Sequence, residues 1–332
     1  MEIRKDVECC FGGIGLMVDR PYLSLRATRT NLSHLSSESS PSVLPFAGGE
    51  YWNHRFAAIT QRFLDRHPDP GALPNLAVEV EKSPRTHVGL GSGTQFACAA
   101  AALLQLVQFH FEASVSSLTP QEAIRDTEDW YRDTGRGRRS HIGLRGFLDG
   151  GFVYDRGERV ASDDSLFART SVHSFPSDWR IVLLHEDAYT GDSGQAEQNV
   201  FELCSSQENP NRNEMLDLIE KAILPGLQGK DWNATAWAIG RYGELAGEIF
   251  RPIQGDAYRT PRIRFLIDLF RSHGFHGCGQ SSWGPTIFAI AQDPEQAAWL
   301  VNKVSLELEP GATIEIAQPA GPAQIERSLV AG

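Results

Sequence analysis

Three glycine-rich segments hold the residue types that bind anions, and they lie far apart in the chain. The first runs Thr86-His87-Val88-Gly89-Leu90-Gly91-Ser92-Gly93-Thr94-Gln95. Gly89, Gly91 and Gly93 let backbone N–H groups turn toward one point, and Ser92 and Thr94 add hydroxyl donors. The alanine-rich run that follows starts a helix, whose first amides and dipole favour negative charge. The segment is neither G-x-G-x-x-G nor G-x-x-x-x-G-K-[ST], the commonest nucleotide signatures. A phosphate cradle and a merely tight turn both fit these residues.

The second segment is Gly135-Arg136-Gly137-Arg138-Arg139-Ser140-His141-Ile142-Gly143. Arginines on a glycine-flexible loop pair bidentately with carboxylate or phosphate, although a solvated basic turn has the same composition. The third is Gly277-Cys278-Gly279-Gln280-Ser281-Ser282-Trp283-Gly284-Pro285-Thr286. Hydroxyl, amide and indole donors beside glycines suit a binding loop, with amides for anions and the indole face for a ring or sugar.

Other chemistry is thinly represented. His273, His276 and Cys278 read H-x-x-H-x-C, but no second ligand pair has zinc spacing and H-E-x-x-H is absent. The G-x-S-x-G nucleophile elbow is also absent. His185-Glu186-Asp187 offers oxygen ligands or acid–base groups, or simply a charged strand end. Asp155, Glu197 and His141 stand as unranked general acid or base candidates.

Rigid elements must hold these segments. Trp52 to His67 places Phe56, Ile59, Phe63 and Leu64 at helical spacing and stops at Pro68 and Pro70. Leu76 to Val80 alternates as a strand and leads into the first glycine segment. Thr94 to Ser114 is the strongest helix in the sequence. Its apolar residues run nearly all the way round, which predicts burial on most sides and makes Cys98 inert packing. Thr119, Pro120 and Glu122 supply N-cap, first-turn and N3 signals for a helix over Gln121 to Arg132. Further helices are predicted near Glu214 to Leu224, Trp232 to Ile249, Arg262 to Gly274 and Pro294 to Val304. Strands are predicted over Arg180 to His185, Thr286 to Ala291 and Ala312 to Ala317. Ile14 to Leu25 reads as strand and loop, and serine-rich Leu32 to Ser42 as a surface loop. The mixture is α+β, with a polar break at Ser162 to Asp164 dividing lobes 1–165 and 166–332.

Composition narrows the partners. Of 332 residues 41% are hydrophobic and 22% charged, enough for a sizeable core. Basic residues number 31 against 42 acidic ones, a formal charge of -11, which argues against a general nucleic-acid coat. Five cysteines, with Cys9 and Cys10 adjacent, form no disulfide framework, so a reducing cytoplasm is expected. The longest apolar run, Phe96 to Leu104, is far short of the about 20 residues of a membrane span. No membrane association is expected.

At the three glycine segments the sequence resembles the beta-ribofuranosylaminobenzene 5'-phosphate synthase family of the GHMP kinase superfamily. The resemblance rests on H-x-G-L-G-S-G-T-Q at His87 to Gln95, G-R-G-x-x-S-x-I-G at Gly135 to Gly143 and G-G-F-V-Y-D at Gly150 to Asp155. It also rests on G-x-G-Q-S-S-W-G-P-T at Gly277 to Thr286, with Phe11 to Pro21 and Gln254-Gly255 as further positions. It runs from Phe11 to about residue 317. It implies a two-lobed GHMP-kinase-like α+β fold with mixed sheets packed by helices. The implied activity is a glycosyltransferase joining phosphoribosyl pyrophosphate to 4-hydroxybenzoate or 4-aminobenzoate, with release of pyrophosphate and CO2, in tetrahydromethanopterin biosynthesis. It also implies magnesium, no organic cofactor, and homodimerisation as a family-level expectation.

On that reading Gly89, Gly91, Ser92, Gly93, Thr94 and Gln95 take pyrophosphate, with Ser92 and Thr94 nearest Mg²⁺. Arg136, Arg138, Arg139 and Ser140 hold a phosphate or the benzoate carboxylate. Gly277, Gly279, Gln280, Ser281, Ser282 and Trp283 bind arene and ribose. Family members carry an R-L-H-F-G-L-like strand before the F-G-G stretch. Met1 to Cys10 does not match it: either the true start lies upstream, or the strand is missing and would leave a sheet edge and part of the pocket unformed. An ATP-dependent small-molecule kinase and a non-catalytic phosphate-ligand binder remain as alternatives.

Overall fold

The computed structural model describes residues 12–29, 46–68, 76–110, 130–137, 140–157, 168–186 and 209–326. Met1 to Phe11, the serine-rich loop, the Thr119-Pro120 cap and most of the helix after it lie outside these residues. So do Arg138, Arg139, the Ser162 to Asp164 break, Asp187 and Glu197.

Strands β1 (Gly13–Leu16), β2 (Ser24–Arg29) and β3 (Phe46–Ala47) precede helix α1 (Gly49–Arg66), β4 (Leu76–Lys82) and α2 (Ser92–Gln105). A π-helical turn, Leu106–His110, extends α2. Next come α3 (Trp130–Asp133), α4 (Ile142–Asp149), β5 (Phe152–Asp155), β6 (Thr170–His173) and β7 (Arg180–His185). The remainder is α5 (Arg212–Leu218), a π turn at Ile219–Ile223, α6 (Leu224–Gly229), α7 (Trp232–Glu248), α8 (Arg251–Gln254) and α9 (Pro261–Ser272). The hairpin β8 (Cys278–Gln280) and β9 (Ile287–Ala291), then α10 (Pro294–Val304) and β10 (Thr313–Ala317), complete it. The sheets run β1-β5-β6, β2-β4-β3 and β10-β7-β9-β8. All pairings are antiparallel except β3 with β4. Helices with mixed sheets make this an α+β fold.

Side-chain periodicity explains the layers. In α1, Trp52, Phe56, Ile59 and Phe63 are buried on one stripe. That stripe meets α2, where Trp52 stacks on Phe96 at 4.4 Å, while Phe56 stacks on Phe46 of β3 at 4.4 Å. The alanines of α2 let neighbours approach closely, and Ala97, Ala100, Ala101 and Ala102 are all buried as its apolar circumference predicts. In β7, Ile181 and Leu183 face one core, against α5, α7 and β5, whereas Val182 and Leu184 face another against α9 and α10. A strand buried on both faces reads as an unbroken hydrophobic run. Local caps fix the helix starts: Asp231, Thr260 and Asp293 accept from the amides of Ala234, Ile263 and Gln296, with Pro261 and Pro294 opening α9 and α10.

Strand pairing does not stop at residue 165, since β6 completes the sheet begun by β1 and β5. The end of the described chain also returns to the first lobe. The amide of Gly151 donates to Ala320 O at 2.8 Å, that of Ala320 to Met17 O at 2.8 Å and that of Ala323 to Phe147 O at 2.9 Å. Several short elements carried no clear signal. Helix α4 is short, and β5 and β6 are four residues each, too brief for periodicity to stand out.

Candidate functional site

The first and third glycine segments meet backbone to backbone. Thr286 N donates to Val88 O at 3.2 Å and Ser281 Oγ donates to Gly89 O at 2.9 Å. A Cβ on Gly89 would collide with the Ser281 carbonyl and sit 2.9 Å from the Gly284 Cα, and one on Gly284 would run into Gly89. Gly89 and Gly91 have φ of +85 and +68°, which a side chain would strain. Gly284 N returns to Ser281 O at 3.2 Å and Ser281 N to Thr286 O at 2.8 Å, closing the β8–β9 turn. His87 and Ser282, one in each segment, hold φ of +60 and +53°. Non-glycine residues in that region cluster at sites whose surroundings enforce the strain.

Gly91 forms the N-cap of α2 and its carbonyl takes the amides of Thr94 and Gln95 at 2.9 and 3.0 Å. No side chain caps this helix, so its leading amides remain for a ligand. The Arg136 loop comes to the same place. A Cβ on Gly93 would lie 3.3 Å from Nη2 of Arg136 and 3.2 Å from Nη1 of Arg55.

Buried carboxylates set that loop. Asp133 accepts from Arg66 Nη1 at 2.7 Å and Gln105 Nε2 at 2.8 Å, anchoring α3 to α1 and α2. Desolvation raises its carboxyl above the ordinary range, partly offset by the bond from Gln105. Thr134 Oγ1 then accepts the Arg136 amide at 2.9 Å. Beyond the loop, the fully buried Asp155 takes Arg169 through Nε at 2.8 Å and Nη2 at 3.0 Å. It also accepts the amides of His141 at 2.7 Å and Gly157 at 3.0 Å. With those partners it holds the start of α4 in place. Ser140 Oγ accepts the Ile142 amide at 3.1 Å, and Gln95 Nε2 reaches Gly143 O at 3.0 Å.

Gly89, Gly91, Ser92, Gly93, Thr94, Gln95, Arg136, Ser140, Gln280, Ser281, Ser282 and Trp283 all line one cleft of about 2860 Å³. Gly277 and Gly279 stand behind it. Gly277 packs against Ala236 of α7 and Gly279 against the Phe288 ring, where space is tight for any side chain. Gln280 is engaged at both ends, Oε1 accepting the Arg259 amide at 2.9 Å and Nε2 reaching Ser282 O at 3.3 Å. Trp283 donates to Gln254 Oε1 at 3.0 Å, stacks on Phe250 at 5.9 Å and carries Arg259 over its ring at 5.1 Å. The indole is therefore braced on several sides. Tyr242, which burial holds well above the ordinary phenol range, also lines the cleft.

The other chemistry-bearing residues sit elsewhere. Glu186 is bidentate to Arg262 at 2.9 and 2.7 Å, and that hydrogen bonding holds its carboxyl below the usual range. Cys278 is buried with its thiol pushed up to about 12, and Cys98 is buried in α2. His273 meets Trp299 edge-on at 5.6 Å. Among the described residues no group of three His, Cys, Asp or Glu side chains is placed to hold a metal. Ser92 and Thr94 supply hydroxyls but no carboxylate, which does not by itself fit a magnesium cage.

Arg55 and Tyr51 belong to this cleft and were not foreseen. They sit at i and i+4 beside the buried stripe of α1, and that spacing signals a shared face. Nothing in the sequence tells which neighbour that face meets.

Residues 223–309 match the GHMP kinases C-terminal family. The chain is 28% identical over 229 residues to a beta-ribofuranosylphenol 5'-phosphate synthase of Methanothermobacter thermautotrophicus, covering 66% of this chain and 64% of that protein. It is 27% identical over 288 residues to the protein of the same name from Archaeoglobus fulgidus, covering 84% and 80%. Among solved structures, mevalonate diphosphate decarboxylase from Staphylococcus aureus superposes with a TM-score of 0.63 at 13% identity, covering 96% of this chain and 91% of that one. No helix among the described residues is long and apolar enough to cross a membrane.

Proposed function

We propose, for a chain that has the GHMP kinase fold and resembles the beta-ribofuranosylaminobenzene 5'-phosphate synthase family, a decarboxylating phosphoribosyl transfer. Phosphoribosyl pyrophosphate is the donor and a para-substituted benzoate the acceptor. The single observation that carries the proposal is the junction of the Gly89 and Ser281 segments in one cleft, next to the arginines at the start of α2. The phenol in the relatives' name makes 4-hydroxybenzoate the first acceptor to test.

The chemistry follows from where charge moves. The bond between ribose C1 and the leaving oxygen breaks, and its electron pair departs with pyrophosphate. An oxocarbenium-like centre remains. The ring carbon bearing the carboxylate, made electron-rich by the para oxygen, bonds to that centre. The carboxyl carbon then leaves as CO2, and its bonding pair restores the aromatic ring. The uncapped amides of Ser92 and Gly93 and the Arg136 guanidinium stabilise the departing anion, and Ser281, Ser282 and the braced indole of Trp283 shape the ribose and arene side. Preorganisation matters here because donors fixed before reaction need no rearrangement as charge develops. Magnesium enters this proposal only as a counter-ion of the diphosphate, and no step depends on it.

Incubation with phosphoribosyl pyrophosphate, Mg²⁺ and carboxyl-labelled 4-hydroxybenzoate tests the proposal by trapping CO2. Release dependent on both substrates is expected. ATP-dependent phosphorylation of an alcohol without CO2 release would instead favour a kinase, and binding without turnover a non-catalytic role.

A further inference from the structure

The face of α7 that meets the cleft is apolar except at one point. Ile239 and Ala246 lie on it, and Phe250, just past the helix end, carries it on to the Trp283 ring. Residues three and four apart share a helix face, so Tyr242 falls on the same line. Ile14 and Leu16 of β1 pack with Ile239 and Tyr242 in one apolar cluster.

The Tyr242 hydroxyl is the exception. The residue is only 9% exposed, yet its oxygen makes no hydrogen bond to any described residue and is not sealed from the cleft. A Cβ on Gly13 of β1 would lie 3.7 Å from that oxygen and 3.3 Å from Cδ1 of Ile142, so the bare Gly13 leaves room beside it near the start of α4. One residue on, Gly143 packs against Thr94 in the first turn of α2. Burial, with Tyr154 and Asp155 nearby, holds the phenol above its ordinary range, so it stays a neutral O–H. A buried hydroxyl without a partner is rare and costly, because it has given up water and gained nothing. A bound molecule that supplies the partner recovers that cost.

Resting on the reading above, we infer that Tyr242 is a specificity-determining residue for the ring acceptor, its hydroxyl meeting the para oxygen of the benzoate in a hydrogen bond. The ring carbon that bears the carboxylate must face ribose, so the para position is the end turned away, into the apolar wall. A carboxylate placed there would lose its hydration to a wall that offers one neutral donor. A para hydroxyl needs little more than one partner, and the wall has one.

Each hydroxyl can be removed separately, one by Tyr242→Phe and the other by replacing 4-hydroxybenzoate with benzoate. Calorimetric titration of the full chain reads all four combinations. The wild-type protein should bind 4-hydroxybenzoate about tenfold more tightly than benzoate, because benzoate leaves the phenol unpaired. Tyr242→Phe should lose about tenfold for 4-hydroxybenzoate and nothing for benzoate, and should melt no lower than wild type. Turnover gives a second readout: KM for 4-hydroxybenzoate should rise in Tyr242→Phe while KM for phosphoribosyl pyrophosphate holds. A loss of equal size for both acids would assign the hydroxyl to the carboxylate and overturn the inference. So would a wild-type protein that binds neither acid or does not distinguish them. Coupling between the two hydroxyls without CO2 release keeps the role of Tyr242 and removes the proposed reaction. CO2 release without coupling keeps the reaction and removes the role.

Discussion

Two arginine arrangements in this molecule are held in different ways. Around Asp155, Arg169 is buried and bidentate, and two backbone amides take up the remaining capacity of the carboxylate. Every charge is answered inside the protein, so the cluster fixes the start of α4. At the first turn of α2, Arg55 and Arg136 both come within 3.3 Å of where a Gly93 side chain would begin, and Arg55 lies over the Tyr51 ring with no ion pair among the described residues. The same residue type is locked to one buried carboxylate in the first case and lines the wall of the cleft in the second.

The largest effect should come from breaking the closed arrangement. Asp155→Ala takes the bidentate carboxylate away from a buried guanidinium and two amides, and should lower unfolding free energy by about 3–5 kcal/mol, read from urea midpoints. A variant as stable as wild type would erase the contrast. Next, Gly89→Ala sets a side chain at φ +85° against the Ser281 carbonyl. It should destabilise by at least about 1–3 kcal/mol and separate the two glycine segments, abolishing pyrophosphate binding by calorimetry.

A second closed pair sharpens the comparison through pH. Glu186 is held below its ordinary 4.5 mainly by the hydrogen bond from Arg262. A depressed carboxyl contributes stability above the unfolded value, and that contribution disappears as pH falls through the folded one. Glu186→Gln should therefore melt earlier than wild type at neutral pH, by about 1–3 kcal/mol, and the gap should close well below pH 4.5. A gap that is constant with pH would mean the charge of Glu186 is immaterial. Trp283→Phe keeps the stacking surface and loses the bond to Gln254, at a cost of about 1 kcal/mol in a thermal melt. The smallest change belongs to the second arrangement: Arg55→Ala should leave stability within about 0.5 kcal/mol by urea titration.

Much of the frame was legible because it rests on short-range regularities. The stripe of α1, the alanine circumference of α2 and the Asp and Thr caps before α7, α9 and α10 are periodic or local signals. The third glycine segment looked like a loop. It is a hairpin whose first strand includes Cys278 and Gln280, because partners on β9, not local propensity, create the pairing. Its two leading glycines also read as ligand contacts, yet they serve close packing against α7 and Phe288.

The sequence by itself determined that the chain would hold glycine loops able to present amides, a buried alanine helix behind one of them and an arginine-rich turn. Those follow from residue type and spacing, which act over a few residues. Tertiary structure decided which of these face one another. It put Gly89 against Gly284 from the other half of the chain, turned Asp155 inward to Arg169 and brought Arg55 to Gly93. Such meetings depend on how separate helices and sheets pack their apolar faces, and the charges carried on the opposite edges go where that packing takes them.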